Sequence, residues 1–202
     1  MFWVSLMGYN SPYVEDFDGK RQVNSAPWYR AGWVRNAAIV LATALIAYLM
    51  ACGEIIHRAR REFNEGEKYY RWYQDSQAKV KDLTALKDSK KMSENEFQHL
   101  MEEDMYKEAV VWWQTVGDFY YLPRSRWVGM AEERIWTTGQ EHEKSGWAKG
   151  LKKGRDDLEH ALMSYKAITD SFKPLHGRQA GKHLEDAKKK IVEMEAKGLR
   201  WP

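Results

Sequence analysis

The chain has one cysteine, Cys52, in 202 residues, so it can form no intramolecular disulfide and build no cysteine-based metal site. Net charge is also scarce: 32 Lys and Arg stand against 29 Asp and Glu, a balance of +3 that excludes an electrostatic nucleic-acid surface. The charges read instead as solvated faces of helices. No β alternation of useful length and no internal repeat appears, which argues against sheet and solenoid folds. GxGxxG, P-loop, GxSxG, CxxC and CxxCH patterns are missing, so nucleotide, hydrolase and haem readings have no local support. Aliphatic residues are sparse and mean hydropathy is −0.71. The apolar positions predict an all-α, elongated chain with too few of them for one compact core of its size.

One stretch departs from this polarity. Ala37 to Gly53 (AAIVLATALIAYLMACG) contains no charged residue. At about 1.5 Å per residue it reaches roughly 25 Å, a little short of a hydrocarbon core about 30 Å thick. Trp28, Tyr29 and Trp33 before it suit the headgroup level, and Ile55 and Ile56 lengthen its apolar surface. It reads as a single membrane span. A cleavable signal fits poorly, because 36 residues precede the run, Glu15, Asp16 and Asp18 among them, and no small-residue cleavage pattern follows. The same acidity argues against an Arg-rich transit peptide. Within the run, Cys52 reads as a small buried hydrophobe.

What is abundant is aromatic: 10 Trp and 11 Tyr, side chains favoured at membrane and partner interfaces. Residues 1–36 read as an extended arm and 37–56 as the transmembrane helix. Residues 57–117 read as long soluble helices, 118–147 as an irregular aromatic strap around Pro123, and 148–202 as a helical hairpin. The positions Ile56, Ala59, Phe63, Gly66, Tyr70, Tyr73, Gln77, Val80 and Thr84 step by 3 and 4. They predict that the span continues unbroken into a long amphipathic helix with Gly66 as a weak point. Ser93 and Glu96 form a capping-box signature, opening a second helix expected to end near Gly117. Two stripes, Leu151, Leu158, Leu162, Tyr165, Ile168, Phe172 and then Leu184, Ala187, Ile191, Met194, form the hairpin, with Lys173 to Gly181 as its linker.

Candidate chemistry is thin. Glu54-Ile-Ile-His57 and Glu96-Phe-Gln-His99 match the spacing of di-iron carboxylate ligands, but Glu96 is accounted for by the cap and Glu54 and His57 by the membrane border. His142, His160, His176 and His183 read as surface histidines. Lys152-Lys153 and Lys188-Lys189-Lys190 read as wet helix faces. No catalytic residue, cofactor or metal is expected.

Three places carry a family resemblance: Gly8-Tyr9-Asn10-Ser11-Pro12; Arg58, Arg60 and Arg61 after the span; and Trp113 through Val116-Gly117-Asp118 to Arg126-Trp127-Val128. In this order they resemble the single-pass accessory subunit family of mitochondrial complex I also known as the retinoid-interferon mortality protein family, over residues 8 to 130. Gly129-Met130 stands where that family has Pro-Pro, and Leu151 to Pro202 has no counterpart in it. The resemblance implies a non-catalytic subunit of the mitochondrial inner membrane, with its arm in the matrix and its long helix and strap in the intermembrane space. Charge alone does not orient it, since four basic residues (Lys20, Arg21, Arg30, Arg35) precede the span and five (Arg58, Arg60, Arg61, Lys68, Arg71) follow it.

The expected partners are other subunits of a large membrane complex and membrane lipids, with no nucleic acid and no small-molecule substrate. Trp113, Val116, Gly117, Asp118, Arg126, Trp127, Phe63, Tyr70 and Tyr73 are the expected partner contacts. Trp28, Tyr29, Trp33, Arg58, Arg60 and Arg61 are the expected membrane-interface residues. Rival readings are a subunit of another inner-membrane complex such as ATP synthase, a di-iron metalloenzyme, and a single-span tether.

Overall fold

The computed structural model describes residues 13–15, 21–23, 32–119, 126–173 and 181–200. The Gly8–Pro12 motif, Trp28 and Tyr29, Pro123, His176 and most of the Lys173–Gly181 linker lie outside the described residues. Seven helices carry the described fold: α1 Gly32–Gln74, α2 Ser76–Asp88, α3 Glu94–Glu102, α4 Met105–Phe119, α5 Arg126–Lys149, α6 Arg155–Ser171 and α7 Leu184–Ala196. The fold is all-α, as the periodicities predict, with one small exception. Two three-residue strands, β1 Tyr13–Glu15 and β2 Arg21–Val23, pair antiparallel within the expected arm, with Val14 opposite Gln22.

The chain divides into two units, residues 1–50 and 51–202, with the boundary inside α1. In the first unit, α1 from Gly32 onward buries no residue, and Ile39, Val40, Leu41, Leu45, Ile46, Leu49 and Met50 are all exposed. Cys52, at the start of the second unit, is half-buried rather than buried.

In the second unit burial on α1 begins at Ala59 and continues through Glu62, Phe63, Gly66, Tyr70 and Trp72, at the predicted spacing. The expected unbroken helix does not extend to Thr84. It ends at Gln74, where the Asp75 carboxylate accepts the Gln77 and Ala78 amides and starts α2. The chain also turns there. The Trp72 indole N–H donates to Asp82 at 2.9 Å, whereas ten residues of straight helix would separate them by about 15 Å. The turn shifts the buried face, so α2 buries Lys79 and Leu83 and leaves Val80 exposed.

Ser93 and Glu96 form the predicted capping box, Ser93 Oγ accepting from the Glu96 amide and Glu96 accepting from the Ser93 amide. The helix they open stops at Glu102 rather than near Gly117. Asp104 then caps α4 by accepting the Tyr106 amide at 3.0 Å. Buried Lys79 reaches across from α2 and donates to the Met101 and Glu103 carbonyls at the C-terminal end of α3.

The largest difference from expectation is the strap. Residues 126–149 are a 24-residue helix, α5. Its buried positions Trp127, Val128, Ala131, Ile135, Thr138, Gly139, His142 and Gly146 follow helical spacing; Thr138, Gly139, His142 and Gly146 hide the stripe from a hydropathy reading. α6 and α7 form the expected hairpin, but α6 packs on α4 and α5 as well, so the hairpin is part of the core. A contiguous core therefore exists, contrary to expectation. It is filled largely by aromatic side chains and alanines, including Tyr106, Trp113, Trp127, Trp136, Tyr165, Phe172, Ala109, Ala131 and Ala161.

Glycine sets the helix spacing at two points. A Cβ on Gly154 would lie 2.1 Å from the Gly146 carbonyl oxygen, so α5 and the start of α6 meet backbone to backbone. A Cβ on Gly66 would lie 2.4 Å from the Trp113 indole, so Gly66 is a seat for that ring rather than a weak point. Gly154→Ala is therefore expected to cost about 2 kcal/mol, a fall in Tm of roughly 4–8 °C for the full chain in detergent. Gly53→Ala, where a Cβ meets nothing within 4 Å, leaves Tm unchanged. Thermal unfolding of both variants checks this.

Candidate functional site

Two regions stand out from a plain helical bundle, the exposed start of α1 and a polar cluster inside the core. On α1, ten large apolar side chains from Trp33 to Ile56 are exposed, Trp33 by 73 %. A helix apolar on all sides belongs in a core or a membrane, and this one is in no core of its own. Among the described residues one helix, α1, is long and apolar enough to cross a membrane. At its border Glu54 accepts from Arg58 at 2.7 Å, Arg61 donates to buried Glu62 at 2.8 Å, and Arg58, Arg60 and Arg61 are exposed as expected for an interface.

Most of the expected partner contacts lie elsewhere than on a surface. Trp113 and Val116 are fully buried, Phe63, Tyr70 and Trp127 nearly so, and Gly117 packs against the Phe172 ring. Their partners are the chain's own helices, because the aromatic load that suggested an interface is spent on the core. Asp118, Arg126 and Tyr73 are exposed. The Glu-x-x-His pairs do not converge. Glu96 caps α3, His99 pairs with Glu103 at 3.0 Å on the surface, and His57 is exposed on α1. Among the described residues no group of three or more His, Cys, Asp and Glu side chains is placed to hold a metal ion.

The polar cluster was not legible as such, since both of its histidine neighbourhoods look solvated in sequence. His142 on α5 is buried, and His160 on α6 and His183 before α7 are half-buried. Helix packing brings together four rings from four helices. Tyr106 of α4 stands edge-on to His142 at 4.4 Å between centroids and lies 4.7 Å from His160. The two imidazoles are T-shaped at 5.1 Å, and Tyr73 of α1 closes the group at 5.3 Å from Tyr106. Each imidazole has its own carboxylate: His142 Nδ1 lies 3.5 Å from Asp157, and His160 Nε2 lies 2.8 Å from Asp104. Tyr106 Oη donates to Thr138 Oγ1 at 3.1 Å and shares a 2.7 Å hydrogen bond with Ser164 Oγ.

Burial, with the neighbouring His160 charge, holds the His142 imidazole below its usual range against the opposing pull of Asp157. Burial pushes the Tyr73 phenol up to about 12, and Tyr106 is raised further by the same cause. Burial works to raise Asp104, but the hydrogen bond and charge of His160 and the Tyr106 and Lys107 amides bring it below the ordinary carboxylate range. At 5.1 Å a charge on His160 disfavours a second charge on His142, which adds to the effect of burial there.

A second missed group is Glu132. Fully buried on α5, it accepts the Gly181 and His183 amides at 3.0 and 3.1 Å and so holds the approach to α7. Nearby, His183 stacks on Trp136 at 4.4 Å, and burial lowers its pKa against the pull of Glu133. A surface groove of about 450 Å³ is lined by Asn64, Glu67, Lys68, Tyr70, Arg71, Gln74 and Arg134. Its cations are neutralised, Arg134 by a two-pronged bond to Glu67, Lys68 by Glu65 and Arg71 by Asp82. Compared with protein-family models, curated proteins and solved structures, the chain matches none of them.

The lowered imidazoles set the sign of the pH dependence. His142 and His183 bind fewer protons folded than unfolded, so their contribution is complete above about pH 6.5 and is lost as pH falls below it. Asp104 and Asp157, also lowered, act near and below the carboxylate range. Tm is therefore expected to fall between pH 7 and 5.5, with a loss of at most about 1.4 kcal/mol per pH unit for each histidine. His142→Gln flattens this slope to the His183 part. An unchanged slope in that variant defeats the assignment.

Proposed function

We propose that the chain is a non-catalytic accessory subunit of a membrane complex, anchored by α1 as a single span and carrying residues 51–202 as a folded helical domain. The observation that supports this best is the stretch of α1 before Ala59, apolar and unburied, followed on the same helix by a stripe that enters a core. The order of Arg58, Arg60, Arg61, Trp113, Val116-Gly117 and Arg126-Trp127 along the chain resembles the single-pass accessory subunit of mitochondrial complex I. On that likeness we place the protein in the mitochondrial inner membrane, N-terminus in the matrix, in contact with other subunits of that complex. Among the described residues, Asp118, the exposed part of Tyr73 and Val111 offer surface for such contacts once the core is filled.

Two measurements test the reading. The chain is expected to stay in the membrane pellet after alkaline extraction, and release into the supernatant overturns the span. Mass spectrometry of what co-purifies in mild detergent is expected to find subunits of NADH:ubiquinone oxidoreductase. Co-purification with ATP synthase, or a well-folded monomer with no companion, overturns the assignment to complex I.

A further inference from the structure

Arg60 on α1 and Arg126 on α5 both lie over the indole of Trp127, their guanidinium carbons 6.0 and 4.7 Å from its centroid. Trp127 itself is fixed in the core against Phe63, 5.5 Å away between ring centroids. Both arginines are exposed, and sharing one ring keeps them within about 12 Å of each other. Like charges so placed repel, and a carboxylate between them is the ordinary remedy. Among the described residues neither Arg60 nor Arg126 bonds to one. Glu54 is taken by Arg58, Glu62 by Arg61, and α5 has no acidic residue in its first turn. Stacking on the ring leaves the N–H edges of both guanidinium groups to an outside anion.

The location indicates which anion. Arg60 lies seven residues past Gly53, about 10 Å along the helix. Side chains on a helix lean toward its N-terminus, which on α1 is the direction of the apolar stretch. A headgroup layer about 5–8 Å deep lies outside the hydrocarbon core, within reach of that side chain. We infer that Arg60 and Arg126, held on Trp127, clamp the phosphate of an anionic phospholipid headgroup. The inference rests on the reading of α1 as a span. The planar fork of a guanidinium matches phosphate oxygens two at a time. The acyl chains of such a lipid run past exposed Ile56, a surface that a free phosphate ion does not use.

The test uses the full chain in a mild detergent, with phosphatidylglycerol, phosphatidylcholine or inorganic phosphate added and bound lipid counted by native mass spectrometry. Phosphatidylglycerol is expected to be retained in preference to phosphatidylcholine, and inorganic phosphate at the same concentration not to displace it. Arg60→Gln with Arg126→Gln reduces the preference, about fivefold for each arginine. Arg126→Gln alone, an exposed change in the first turn of α5, keeps the fold and shows its own share. Lys188→Gln with Lys189→Gln leaves the preference unchanged. Equal retention of the two lipids, displacement by inorganic phosphate, or full preference in the double arginine variant overturns the clamp. Alkaline extraction separates the two readings, since release of the wild-type chain defeats the span while a retained chain without lipid preference defeats the clamp alone.

Discussion

A helix that exposes large apolar side chains on every side is stable only where its surroundings are not water. Ten large side chains from Trp33 to Ile56 are exposed on α1. At about 1.5–3 kcal/mol for each such side chain removed from water, they represent roughly 15–30 kcal/mol. The net stability of a whole domain is about 5–15 kcal/mol. The exposed stretch is therefore too large to be left in water as an incidental feature of a soluble fold. The rest of the second unit follows from where this stretch stops. At Ala59 the apolar residues contract from all faces of the helix to one, and that face starts the core.

The core solves a problem that the composition poses. Aliphatic residues are few, so aromatic rings must supply the buried area, and large flat rings pack only where something small faces them. Gly66 faces Trp113, Gly117 faces Phe172, and Gly146 with Gly154 lets α5 and α6 approach until backbones touch. Sequence reasoning sees this pairing poorly. The capping box at Ser93, the stripe from Ala59 to Tyr70 and the pair α6–α7 were legible because each is a local pattern. α5 was not. Gly129, Gly139 and Gly146 resemble loop residues when counted singly, yet 139 and 146 are two helical turns apart and share a face with Ile135 and His142. The breaks at Asp75 and Asp104 were missed for a related reason. An acidic cap costs the hydropathy pattern one residue and redirects the whole chain.

The polar cluster was hidden by its flanks. Glu141 and Glu143 make His142 look solvated, but a helix turns 100° per residue, and the face that matters is set by Thr138, Ile135 and Gly146. Once buried, His142 and His160 require partners, and Asp157 and Asp104 supply them from α6 and from the cap of α4. The hydrogen bonds of Tyr106 to Thr138 and Ser164 tie α4 to α5 and α6 at the same level. Polar groups of this kind contribute less to stability than to uniqueness, because a shifted register would leave them unpaired in a low dielectric. Aromatic surfaces alone are permissive in how they slide. This network removes that freedom at the level where four helices meet.

At Phe63 and Trp127 the core carries no such network among the described residues. Trp127 packs against Phe63 in a tilted arrangement inside the core and also lies under Arg60 and Arg126. A cation on an indole is stabilised by the ring quadrupole without being taken out of water, so the fold keeps two positive charges at this edge at little desolvation cost. Had the fold placed a carboxylate there, the edge would be neutral and indifferent to what lies beyond it. Among the described residues no carboxylate matches the two charges, which leaves the edge open to an anion supplied from outside. One residue, Trp127, thus couples the order of the core to the presentation of the charges.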